Sequence, residues 1–253
     1  MWGLTCTCGS SLFLSSCAEV AISDRKQINI FSDDYLYSKT FPAYENFKYN
    51  TKLITGTSES EKIIEIGLDI RDAINVYYAN KYEKDPTSNF QWEFVLVDDK
   101  QTKNAWCMPG GKIAFYSGLM PIAKNEDGIA SIMGHEIAHA FARHTVEKLT
   151  QHSILALGTQ GLLSTSYGKV INENSDIYNN IVQFGIMLPF SRTMESEADY
   201  MGLAFMNMGG YNLEESVEVW KRMQSNTKNR YPEFMSSHPS PENRIENLKS
   251  WAK

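Results

Sequence analysis

Five residues near the middle of the chain, His135-Glu136-Ile137-Ala138-His139, restrict its fold more than anything else in it. Two histidines four residues apart share a face on an α-helix, one turn apart, and both imidazoles can then reach one tetrahedral ion. Ile129, Ile132, Met133, Ile137, Ala138 and Phe141 surround the pair, which suits a buried helix. Glu136 stands one step from the first histidine and can meet a metal-held water from the side. Zinc lowers the pKa of that water, and the carboxylate takes its proton as it attacks a polarised carbonyl. The motif predicts one zinc per chain on His135 and His139, with Glu136 as general base. The bland reading is a helix whose two histidines cap other groups.

A catalytic zinc needs a third protein ligand and an open position. Ser191 to Asp199 is acidic, fits a helix and lies far enough along the chain to return beside the first one. Glu195 and Asp199 are four apart and share a face. One can bind the metal while the other orients a ligand histidine from outside. Glu197 points nearly the opposite way and reads as a solvated charge. His144, nine residues beyond His135, falls about half a turn away on an ideal helix and reads as a structural residue facing away from the metal. His152 reads as exposed, past the helix end.

Around these motifs the pattern predicts an α+β, mostly helical fold with a small sheet next to the histidine helix. A helix begins at Ser58, where Ser58 and Glu61 suggest a capping box, and stops by Lys84-Asp85-Pro86. Strands follow at Gln91 to Asp98, Asn104 to Met108 and Lys112 to Tyr116, with Pro109-Gly110-Gly111 as a break. Helices are expected over 125–151, 178–208 with a break at Pro189, 213–224, and from a Ser240-Pro241 cap to the end. Residues 18–57 lack a clear period and read as a short helix or loops wrapped on the body. The expected division is 1–17 as a signal segment, 18–57 as an extension and 58–253 as one domain.

His135 to His139, then Glu195-Ser196-Glu197-Ala198-Asp199, Gly202-Leu203 and Gly209-Gly210-Tyr211, resemble the zinc metallopeptidase family of the heat-shock protease HtpX and the CAAX prenyl endopeptidases. The similarity is greatest to its soluble or lipid-anchored bacterial branch. Asn104 to Gly111 matches too, as does Ser237-His238-Pro239-Ser240-Pro241 with Arg244 three residues on. The resemblance runs from about Ile63 to Leu248. It implies a zincin-like fold, Glu195 as the third zinc ligand and Asp199 outside it. It also implies that an extended peptide pairs with the strand after Pro109-Gly110-Gly111, here Lys112, Ile113, Ala114, Phe115 and Tyr116. His238 either approaches the zinc or the oxyanion, or is a cap or surface contact in its turn. The membrane-spanning part of HtpX and the prenyl endopeptidases is missing, and no prenyl substrate is implied.

With a net charge of −6, the 253-residue chain argues mildly against nucleic acid as a partner. Three of its four cysteines lie in the first 17 residues, which leaves Cys107 without a partner and rules out a disulfide scaffold for the body. Leu14-Ser15-Ser16-Cys17 resembles a lipobox, although the basic start of a secretory signal is missing. The expectation is a lipid anchor on Cys17 and a place on the periplasmic face of a bacterial envelope. The function expected there is an endopeptidase for extended or misfolded protein in quality control. The alternative is a zinc-bound chaperone or assembly factor with little turnover.

Overall fold

The computed structural model describes residues 17–160, 189–225, 233–239 and 243–253. The lipobox residues 14–16 and the Ser240-Pro241 cap lie outside them. The chain opens with an antiparallel hairpin of β1 (Cys17–Glu19) and β2 (Lys26–Ile28). Helix α1 follows at Asp33–Asn50, capped by the Ser32 side chain, which accepts from the Tyr35 N–H. This is longer than the short helix or loops expected. Tyr37, Phe41 and Tyr44 sit at steps of four and three, and Tyr37 and Phe41 stack 5.1 Å apart. The proline inside the helix, Pro42, obscured that period.

Helix α2 spans Ser58–Lys81, with Ile63, Ile70 and Ile74 fully buried. Its capping box is one residue earlier than Ser58/Glu61. Thr57 Oγ1 accepts from the Ser60 N–H at 3.2 Å, and Ser60 Oγ accepts from the Thr57 N–H at 3.0 Å. Strands β3 (Leu53–Ile54), β4 (Glu93–Val97), β5 (Ala105–Met108) and β6 (Lys112–Tyr116) form a sheet in the order β3-β4-β6-β5. β4 and β6 are parallel; β5 returns antiparallel to β6. The turn between β5 and β6 uses Gly110 and Gly111 at φ 90° and 81°, where a side chain would be strained.

This topology corrects the expected substrate strand. β6 is an interior strand, with β4 on one side from Lys112 to Tyr116 and β5 on the other from Lys112 to Phe115. Its backbone groups are already used, and no peptide can add to it. The edge beside the histidine helix belongs to β5.

After a short helix α3 (Met120–Ala123), helix α4 spans Glu126–Phe141 and α5 spans His144–Gln160. One continuous helix over 125–151 was expected. The chain instead breaks at Ala142-Arg143, where Arg143 takes a left-handed φ of 57°, and His152 lies inside α5. Helix α6 covers Arg192–Met208, capped by Ser191, whose side chain accepts from the Met194 N–H. Helices α7 (Glu214–Ser225), α8 (Glu233–Ser237) and α9 (Arg244–Trp251) follow, and the residue before α9 is Asn243. Helix α4 lies buried between α2, the sheet and α6. It touches α6 closely because both are glycine at the crossing: a Cβ on Gly202 would lie 3.0 Å from the His135 nitrogen, and one on Gly134 would lie 3.0 Å from the Gly202 oxygen.

Candidate metal centre

The α4–α6 crossing places two polar turns face to face. His135 and His139 on α4 meet Glu195 at the start of α6, and His238, just past α8, closes the group. His135 Nε2 lies 3.1 Å from His139 Nε2, 3.3 Å from His238 Nδ1 and 3.4 Å from Glu195 Oε2. Glu195 Oε1 lies 3.4 Å from His139 Nε2 and 3.0 Å from His238 Nδ1. A tetrahedral zinc with ligands at roughly 2.0–2.1 Å sets its ligand atoms about 3.3–3.4 Å apart, which is close to this spacing. All four residues are at most 3 % exposed. Three imidazoles and a carboxylate converging in a dry core are the donor set of a zinc site.

Burial alone would raise the Glu195 carboxyl. The charge on His238 and hydrogen bonds from His135, His139 and His238 hold it well below its usual range. Burial would lower His135, but its bonds to Asp199 and Glu195 raise it to about 9. His139 is pushed well below its ordinary value, first by burial. Glu136 is 1 % exposed, and burial raises its carboxyl. One of its oxygens, Oε1, has no hydrogen-bond partner and lies 3.4 Å from His238 Nε2. The Cys107 N–H on β5 donates to the same carboxylate. Glu136 therefore lies between the metal group and the edge strand, where a water-activating base has to be.

Asp199 Oδ1 lies 3.0 Å from His135 Nδ1. The side chain that holds it is Arg244, to which the sequence motif gives no role. Arg244 Nη2 donates to Asp199 at 2.6 Å, and its guanidinium lies 3.2 Å from the Trp220 ring centre. Two expectations fail. Glu197 is 8 % exposed and is no solvated charge. It is held by His144, Arg25 and Ser23. Nor does His144 face away. The break at Arg143 turns it back, and its Nδ1 lies 2.8 Å from His139 Nδ1. An ideal-helix projection cannot register a left-handed residue, whereas the burial of Glu197 follows from Arg25, 172 residues away. Phe190 and Lys148 also escaped the sequence. The Phe190 ring stacks on His139 with centres 3.9 Å apart, and Lys148 Nζ lies 3.6 Å from the Phe190 ring centre. Burial lowers that lysine to about 7.

The sequence model of peptidase family M48 matches residues 72–252. The chain belongs to peptidase family M48. It is 38% identical over 182 residues to the mitochondrial metalloendopeptidase OMA1 of Saccharomyces cerevisiae, covering 66% of this chain and 51% of that protein. To the putative beta-barrel assembly-enhancing protease of Vibrio cholerae it is 28% identical over 159 residues, covering 60% of this chain and 33% of that protein. With the human OMA1 metalloendopeptidase it shares 26% identity over 170 residues, covering 64% of this chain and 32% of that protein. The chain thus spans about half the length of the yeast relative and a third of the other two. The M48 assignment bears out the zincin-like, mostly helical fold with its small sheet, the metalloprotease class and zinc as the metal. Among the described residues, no helix is long and apolar enough to cross a membrane.

Proposed function

We propose that this M48 chain is a zinc endopeptidase that cuts extended or misfolded proteins in quality control at the bacterial cell envelope. The zinc is held by His135, His139 and Glu195. The observation that carries this reading is the buried Oε1 of Glu136, without a hydrogen-bond partner, beside a group with zinc-like spacing. Bound zinc supplies acidity to a water and polarises the substrate carbonyl. Glu136 takes the proton from the attacking water and passes it to the leaving amine. Asp199, held by Arg244, keeps His135 in orientation. The peptide adds to the edge strand β5, whose residue Cys107 already faces Glu136.

His238 occupies the fourth position of the group and keeps the peptidase latent. Four protein ligands make a closed site, whereas a working one keeps a position open. The same closure favours the second reading, a zinc-bound chaperone that rarely cuts. The deciding experiment is casein degradation with and without a chelator, with zinc content measured on the same preparation. One zinc per chain and chelator-sensitive cleavage are expected. His135→Ala and Glu195→Ala should each lose the metal, and full occupancy in both would overturn the ligand set. Stoichiometric zinc without cleavage would leave the chaperone.

Placement at the envelope rests on Leu14-Ser15-Ser16-Cys17, read as a lipobox that anchors the chain through Cys17 on the periplasmic face. The name of the Vibrio cholerae relative supports a role near β-barrel assembly. The partners are then protein or peptide substrates and the membrane, with no nucleic acid.

A further inference from the structure

The two histidines of α4 have outer partners of different kinds. His135 Nδ1 meets a carboxylate, Asp199, clamped by Arg244. His139 Nδ1 meets another imidazole, His144 Nδ1, at 2.8 Å. His144 Nε2 lies 2.8 Å from Glu197 Oε2. Arg25 Nε donates to that oxygen at 2.6 Å, and Ser23 Oγ donates to Oε1. The far side of the Arg25 guanidinium grips Glu147 through both terminal nitrogens, at 3.1 and 2.8 Å. His139 and His144 are both at most 1 % exposed. Arg25 and Ser23 lie in the turn of the β1–β2 hairpin, outside the residues matched to the M48 model.

The direction of every bond in this chain follows from one condition. His139 turns Nε2 toward His135 and Glu195. A metal there takes the Nε2 lone pair, so the hydrogen of the neutral ring sits on Nδ1. At 2.8 Å that hydrogen goes to His144 Nδ1, which must then be bare. The hydrogen of His144 therefore sits on Nε2 and points at Glu197. The opposite arrangement puts a hydrogen on His144 Nδ1 and a bare Nε2 against a carboxylate, lone pair to lone pair. It also leaves His139 with its hydrogen on Nε2, where the metal belongs. The Glu197 oxygen, which can only accept from His144, selects the first arrangement, and the bonds from Arg25 and Ser23 hold that carboxylate in place.

We propose that Arg25, Glu197 and His144 are positioning residues that fix His139 in its metal-binding tautomer, making the N-terminal hairpin a working part of the M48 metal centre. The inference rests on the reading of His139 as a zinc ligand. It treats His144 and Glu197 as the counterpart of Asp199, reached through one more ring.

The test measures zinc affinity by competition with a chelator, together with ¹⁵N imidazole spectra of the zinc-loaded protein. Outer partners of ligand histidines contribute about 10–100-fold in metal affinity. His144→Ala should weaken zinc by that range, and Arg25→Ala and Glu197→Gln by about 10-fold, at the lower end of it. Arg25→Lys should recover part of the loss. In the wild type the His139 hydrogen should be on Nδ1, and in Glu197→Gln the two tautomers should mix. Asp33→Asn is the control, since it loosens the same N-terminal segment from Arg143 without touching the chain of bonds. Unchanged zinc affinity in both His144→Ala and Arg25→Ala overturns the proposal, as does an equal loss in Asp33→Asn. A His139→Ala protein that binds zinc like wild type would instead bring down the ligand assignment beneath it.

Discussion

Replacing Gly202 by alanine tests how closely the metal centre depends on the α4–α6 crossing. In an ordinary helix interior this change stabilises by roughly 0.5–1 kcal/mol, because glycine loses more backbone freedom on folding. Here the new Cβ would lie 3.0 Å from the His135 nitrogen, 3.2 Å from the Gly134 carbonyl carbon and 3.2 Å from the His135 Cα. All three are backbone atoms of a buried helix and cannot rotate away. Ordinary contact starts at 3.4 Å, so the helices must separate by a few tenths of an ångström. Overpacking of this kind costs about 1–3 kcal/mol, which outweighs the helix gain and reverses the usual sign. The net loss of about 1–2 kcal/mol lowers Tm by several degrees in a chain of this size. The separation also falls between His135 and Glu195, now 3.4 Å apart, so zinc affinity should drop with stability. Thermal melting of metal-free protein and chelator competition on loaded protein measure the two effects. A Gly202→Ala protein with raised Tm and unchanged zinc affinity would refute the close crossing and the account of how the ligands are brought together.

Glu136→Gln keeps the shape of the side chain but cannot accept a proton. A folded, fully zinc-loaded protein with about 10²–10⁴-fold less activity on casein is expected, and wild-type activity at full zinc occupancy would place the base elsewhere. His238→Ala should raise casein cleavage by opening the fourth position; a fall would assign His238 to the oxyanion, and no change in rate or zinc affinity would remove it from the site. Cys17→Ser should move the protein from the membrane to the soluble fraction of a bacterial host, and mass spectrometry showing an intact, unmodified Met1 in the native cell would end the lipid-anchor reading.

The features legible in the sequence are those set by short-range geometry. The helix carrying His135 and His139, the residue-by-residue bounds of β6 and the shared face of Glu195 and Asp199 follow from spacing along one element. What failed was set by a single backbone angle or by distant sequence. The left-handed Arg143 turns His144 from a residue facing away into one touching His139. Glu197 looks like a surface charge on a wheel, and partners far away in sequence, Arg25 and Ser23 of the N-terminal hairpin together with His144, make its burial tolerable. β6 matches the pattern after Pro109-Gly110-Gly111, which points to it as the substrate strand. Strand order depends on which neighbours close the sheet, and that is not written in β6 itself.

The closed site and the edge strand are also linked through α8. Asn104 turns its carbonyl toward β6, where it accepts from the Tyr116 N–H at 3.0 Å. Alternation along a strand then turns the backbone groups of Lys103, Ala105 and Cys107 to the outer edge of β5. Each has a partner from the protein itself. The Lys103 carbonyl accepts from the Phe234 N–H of α8 at 3.0 Å, the Ala105 N–H donates to Asn104 Oδ1 at 3.0 Å, and the Cys107 N–H donates to Glu136. A peptide that adds to this edge has to displace those partners. Displacing the first loosens α8, and the His238 N–H is bonded to the Phe234 carbonyl of that same helix at 2.8 Å. One short helix thus carries both a contact to the β5 edge and the backbone that leads into His238.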